Sequence, residues 1–172
     1  MDIKQEFKQK LWNRYRRLIS WKLYFIKDKS GKKIQFVPNE MQKKFLDTLR
    51  YRNIVLKARQ LWFSTLIDLI LLDACLFESN KSVWIIAQDL DNAEKIFEDK
   101  IKFVFDNLPD WLKDSYILKT DKTREIAFLN NWSRISVWNS FRWGTYQYLH
   151  ISEFGKICSK FPEKAREIMT WA

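Results

Sequence analysis

Apolar residues recur along this chain in two rhythms, and the rhythm changes from stretch to stretch. Ile3, Phe7, Leu11, Tyr15 and Leu18 stand three and four apart, which predicts an amphipathic helix on a basic background. "IKDKSGKKIQFVP" predicts a hairpin turning at Ser30-Gly31 and ending at Pro38. Asn39 is placed to cap a helix from Glu40 to about Arg50, with Met41, Phe45, Leu46 and Leu49 on one face. "NIVLKA" (53–58) has the length and apolarity of a short buried strand, followed by a polar loop and an apolar helix over 64–77. "SVWIIAQ" (82–88) predicts a second buried strand, and 91–107 a long helix with Ile96, Phe97, Ile101, Val104, Phe105 and Leu108 in register. "REIAFLN" and "SRISVWNS" predict a hairpin around Asn131, "YQYLHISE" (146–153) another buried strand, and Phe161-Pro162 leads into a last helix. Strands alternating with helices predict an α/β fold with mainly parallel central strands, and such sheets bind ligands beyond the carboxyl ends of their strands.

Composition adds a strong asymmetry. Residues 1–33 carry eleven Lys or Arg against Asp2, Glu6 and Asp28, which is +8 of the chain's net +10. A basic arm on a nearly neutral body suits polyanions through counterion release, or simply forms a solvated helix face. Two cysteines, Cys75 and Cys158, are too few and too far apart for a disulfide framework or a metal site and are expected to fill core. The charged N-terminus excludes a signal peptide, and the most apolar run, Leu66 to Phe77, is too short and too acidic (Asp68, Asp73) to cross a membrane. His150 is expected to serve as a core residue, and Trp12 and Trp21 to pack rather than stack on bases.

Chemistry concentrates at two places. A strand turning sharply into a helix aims free N–H groups and the helix dipole at one point, which is an anion site. On the phosphate-loop pattern G-x-x-x-x-G-K-[ST], Lys57 falls at the first Gly, Trp62 at the second, Phe63 at the Lys and Ser64 at the metal-binding hydroxyl. The second place is Ser152-Glu153, at the end of the strand "YQYLHI". A carboxylate at the tip of a buried strand beside a phosphate loop is where a hydrolase needs a group to orient water.

"VPNEMQKKFL", "RNIVLKARQLWFSTL", "IIAQDLDNAEKIFEDKIKFVFDNLP" and "LHISEFGKICSKFPEKAREI" together resemble the N-terminal ATPase region of tailed-phage terminase large subunits, the DNA-packaging motors. The resemblance runs from about residue 35 to the end and implies an ASCE-type, RecA-like P-loop NTPase: a three-layer sandwich, incomplete at the C-terminus, over residues 38–172, behind a basic arm of residues 1–37. It implies that Gln42 contacts adenine and that Lys57, Ala58, Arg59, Gln60, Leu61, Trp62, Phe63, Ser64 and Thr65 form a deviant Walker A loop. Arg59 or Lys57 would supply the positive charge that Phe63 lacks, and Ser64 would bind Mg²⁺ with Ser152 behind it. Glu153 would be the catalytic carboxylate of Walker B, although Ser152 stands where many members have Asp. Arg142, in "SFRWGT", would be a phosphate sensor, a trans-acting finger or a DNA contact. The implied ligands are ATP and Mg²⁺; the implied partners are double-stranded DNA, a portal protein and a small terminase subunit, with the full-length protein a homo-oligomeric ring in the cytoplasm of an infected bacterium. The family's coupling motif and nuclease would lie beyond residue 172, and no second carboxylate cluster here suits a two-metal nuclease. The same Q motif, loop and acidic strand end also occur in helicase-like ATPases, and a non-catalytic DNA-binding remnant is a third reading.

The chain has three glycines where average usage gives about twelve, and nine tryptophans. Against the family pattern Trp62 stands at the loop glycine, Trp143 in an R-G-G-T-like run and Trp132 at an Asn-Gly hairpin turn; Trp84, Trp138 and Trp171 also fall where relatives tend to have Gly. An Asn-Gly turn needs positive φ, and at position 62 an indole is expected to occupy the phosphate volume. These substitutions point to a UGA codon that the source reads as glycine. The parental gene should therefore carry UGA at Trp62, Trp132 and Trp143 but UGG at Trp111 in "LPDWL"; UGG at all nine positions overturns this.

Overall fold

The computed structural model describes residues 13–56, 62–140 and 144–171. A five-stranded sheet runs in the order β4–β5–β6–β3–β7, built from β3 (Ser82–Ile86), β4 (Leu118–Lys122), β5 (Glu125–Phe128), β6 (Arg134–Trp138) and β7 (Tyr148–Ile151). β3 pairs in parallel with both β6 and β7, whereas β5 is antiparallel to β6 and β4 to β5. The sheet is therefore mixed, not mainly parallel: the tight turn at Asn131 forces the β5–β6 pair to run antiparallel, and β4 extends it as a meander.

Side chains alternate across β3 with a period of two. Val83 and Ile85 join the larger core, with Leu66, Leu69 and Leu72 of α3 (Phe63–Phe77) and with Phe97, Ile101 and Phe105. Trp84 and Ile86 face the other side and join Ile157 of α7 (Phe154–Lys160) and Ala165 and Ile168 of α8 (Pro162–Trp171). Trp84 packs well there: its indole stacks 6.2 Å from Trp138 and 4.7 Å from Tyr146, and its N–H donates to the Ser140 carbonyl at 3.3 Å.

The N-terminal segment is built into the larger core. Helical residues 13–19 (α1) and the hairpin β1 (Phe25–Lys27) and β2 (Lys33–Gln35) contribute Leu18, Leu23, Tyr24, Ile26 and Phe36. The hairpin turns where expected: Asp28 accepts from the Ser30 and Lys32 amides, both at 2.8 Å, and Gly31 takes φ of 80°. Two of the arm's cations are spent internally. Arg17 donates to both oxygens of buried Asp73, at 2.7 and 2.5 Å, and Tyr24 donates to the same carboxylate at 2.6 Å. Arg14 donates to Glu78 at 2.7 Å and lies 3.4 Å from Asp73. Burial alone would lower the Arg14 pKa, but Asp73, Tyr148 and Glu78 hold it above its usual value.

α2 (Glu40–Thr48) starts with the expected cap: Asn39 Oδ1 accepts from the Gln42 amide while Gln42 Oε1 accepts from the Asn39 amide, both at 2.9 Å. The run 53–56, expected to be a buried strand, is not one. It pairs with no described strand, and Ile54 and Leu56 are 92% and 96% exposed. The outer edge of β7 is thus paired with no described strand, although it was open to this run. The long helix is also not uniform: α4 (Leu90–Ile96) and α5 (Phe103–Asp106) are joined by a π-helical turn, Phe97–Lys102, and α6 (Asp110–Lys113) follows. Cys75 is buried as expected, but Cys158 is exposed, because α7 turns that position to solvent. Among the described residues no helix is long and apolar enough to cross a membrane.

Trp62 and Trp132 both adopt the left-handed conformation, with φ of 56° and 58°. A bulky residue there is strained by about 1–2 kcal/mol, a cost glycine avoids. Trp132 is exposed at the hairpin tip, with the Lys119 ammonium over its ring 5.3 Å from the centroid. Trp132→Gly should therefore raise the unfolding free energy by about 1 kcal/mol, while Trp111→Gly, inside right-handed α6, should lower it by about as much. Urea denaturation of the two variants checks this; equal losses at both sites would remove the backbone argument.

Candidate phosphate-binding site

α3 is the apolar helix of the strand–loop–helix unit, and it begins one residue after Trp62. Trp62 is its N-cap with no side-chain capping bond, so the first-turn N–H groups are left to other partners. The Trp62 carbonyl accepts from the Leu66 amide at 3.1 Å and from Gln42 Nε2 at 3.0 Å. Gln42, only 2% exposed, thus clamps the entry to α3 to the start of α2. Phe63, at the position of the loop lysine, is buried and meets Phe45 edge-on at 5.7 Å; it faces core. Thr65 is buried as well. Lys57, Ala58, Arg59, Gln60, Leu61 and Arg142 lie outside the described residues.

Ser64 lines a cleft of about 200 Å³ together with Gln88, Asn92, Ile96, Lys100, Ser152 and Glu153. Ser64, Ser152 and Glu153, all named from sequence, thus share one cleft. It sits past the carboxyl ends of parallel β3 and β7. Gln88 follows β3, and Ser152 follows β7, donating its amide to the Ile86 carbonyl at 2.9 Å. Glu153 is N-cap of α7 with φ of 57°, an uncommon conformation for a residue with a side chain. Its carboxylate is half-exposed and ion-paired with Lys156.

Gln88, Asn92 and Lys100 escaped the sequence reading. Gln88 had a signal, since it is the first polar residue after a buried strand; Asn92 and Lys100 had none beyond lying on a helix. The cleft rests on a buried carboxylate. Asp68, one turn along α3 from Ser64, pairs through Oδ1 with His150 Nδ1 of β7 at 2.8 Å and through Oδ2 with Lys100 Nζ at 3.3 Å. His150 therefore has a polar partner rather than a purely packing role. Burial pushes the Asp68 carboxyl up, but Lys100 and His150 outweigh it and hold it below its ordinary value.

A second cavity of about 290 Å³ is lined by Ile26, Ile34, Gln35, Phe36, Val37, Asn39, Gln42 and Trp62. The Trp62 side chain lines this second cavity and packs on the larger core. No family model matches the chain, and a search of curated proteins gives no match.

Because Asp68 binds its proton more weakly folded than unfolded, its contribution to stability is present above the ordinary value of 3.8 and is lost as pH falls through the lower, folded value. Wild-type stability should drop on acidification below 3.8 more steeply than that of Asp68→Asn. Denaturant midpoints across that range measure the difference, and parallel curves would show that Asp68 carries no such linkage.

Proposed function

We propose that this chain is the nucleotide-binding part of an ATP-hydrolysing motor subunit of the DNA-packaging type. The observation that carries the reading is the meeting of Ser64, Ser152 and Glu153 on one cleft past two parallel strands. The triphosphate would lie at the start of α3, where first-turn amides and the helix dipole favour anions. The cavity lined by Gln42 has apolar walls suited to a base, and Gln42 joins that wall to the loop.

The residues fit magnesium in kind. Ser64 and Ser152 offer hydroxyl oxygens and Glu153 a carboxylate, the hard donors that this ion takes while keeping several waters. No group of three His, Cys, Asp or Glu suited to a metal is found among the described residues, so the ion would be shared with the substrate's phosphates. When bound it would offset charge on the β- and γ-phosphate oxygens. Glu153, on release from Lys156, would accept a hydrogen bond from the attacking water and set its line of approach. DNA, portal, small subunit, ring assembly and the cytoplasm of an infected bacterium belong to this reading through the terminase resemblance alone. The remnant reading, in which the arm binds DNA by charge, is weakened because Arg14 and Arg17 are committed to Asp73 and Glu78.

As written, with an indole at position 62 where the loop pattern has glycine, the chain should bind ATP negligibly. Trp62→Gly should produce Mg–ATP binding in a calorimetric titration. Adding Ser64→Ala should weaken that binding about tenfold with magnesium and little without it, the size of one charge-assisted contact. No binding after Trp62→Gly would remove the site assignment.

A further inference from the structure

The phosphate-loop pattern puts a lysine at position 63, and here Phe63 is turned into the core. Yet a lysine does line the cleft. Lys100 comes from the π-helical turn between α4 and α5, and it lines the same cleft as Ser64, its ammonium 3.3 Å from Asp68. We propose that Lys100 is the cation that binds the phosphates of the nucleotide, held at the cleft by Asp68. The proposal rests on the nucleotide-binding reading and names the group that completes it.

Three features of the molecule support it. First, a π turn holds one more residue than an α turn, and such turns recur at functional sites. This one keeps Phe97 and Ile101 in the core while Lys100, 26% exposed, reaches the cleft. Second, Lys100 is not committed to Asp68 alone. An ammonium has three donors, and the Asp68 contact of 3.3 Å is long beside the 2.8 Å of the surface pair Lys43–Glu40. Asp68 has its own second partner in His150 at 2.8 Å, so the buried carboxylate does not depend on Lys100 only. Third, the one carboxylate that lines the cleft, Glu153, is already paired with Lys156. The charge of Lys100 therefore meets an incoming anion without a competing acid in the cleft itself.

The test uses the Trp62→Gly chain and inorganic tripolyphosphate, a probe with no base and therefore independent of the Gln42 cavity. Lys100→Gln should weaken binding about tenfold or more, and Lys100→Arg should restore most of it. Because Lys100→Gln leaves Asp68 with one partner fewer, the double variant Asp68→Asn/Lys100→Gln is measured beside it, with thermal unfolding as the check on folding. Loss of binding in the folded double variant supports the proposal. Affinity equal to that of the Trp62→Gly parent in either folded variant, with Ser64→Ala still weakened, overturns the role of Lys100 while leaving the nucleotide site standing. Failure of the Trp62→Gly parent to bind tripolyphosphate at all overturns both.

Discussion

The structure depends on how one apolar helix carries two buried carboxylates. α3 is almost wholly enclosed, and an unpaired carboxylate in such surroundings would cost several kcal/mol. Asp73 is met by Arg17, Tyr24 and Arg14, which draws the N-terminal helix and the following hairpin onto the core. Asp68 is met by His150 and Lys100, which draws β7 and the π turn onto the same helix. Each acid thus obliges a distant part of the chain to come to it. Apolar contact supplies most of the driving force in such a core, but it is non-directional; these ion pairs specify which elements sit where.

That arrangement changes the meaning of the charge distribution. The surplus of Lys and Arg before residue 34 resembled a free arm for polyanions. Arg14 and Arg17 instead neutralise acids of the body, and the apolar residues between them are core. Charge counted along a sequence does not distinguish a cation facing solvent from one matched to a carboxylate fifty residues away.

Periodicity was a good guide where burial is one-sided and local. The Asn39 cap, the Ser30-Gly31 turn, the β5–β6 hairpin and β3 all form within a residue or two of the expected bounds. It failed for 53–56, where an apolar run promised a strand: whether such a run joins a sheet is decided by tertiary packing, which is not a local property. It also missed β4, whose mixed polarity reflects an edge position, and the π turn, whose hydrophobic spacing is close to that of an α-helix. At the candidate site, Ser64, Ser152 and Glu153 were legible because they end or begin regular elements. Lys100 was not, because nothing in its local sequence records the cleft that the Asp68 pair brings to it. The left-handed Trp62 and Trp132 were visible by the opposite route, as residues whose size contradicts the turns around them.

The fifteen residues of α3 span about 22 Å as a rigid rod. One end bears the cleft hydroxyl of Ser64, and the far half bears Asp73 with its two arginines. Ion pairs at Asp68 and Asp73 tie this rod to β7 and the π turn at one point and to the N-terminal segment at another, so a displacement of α3 would bear on both.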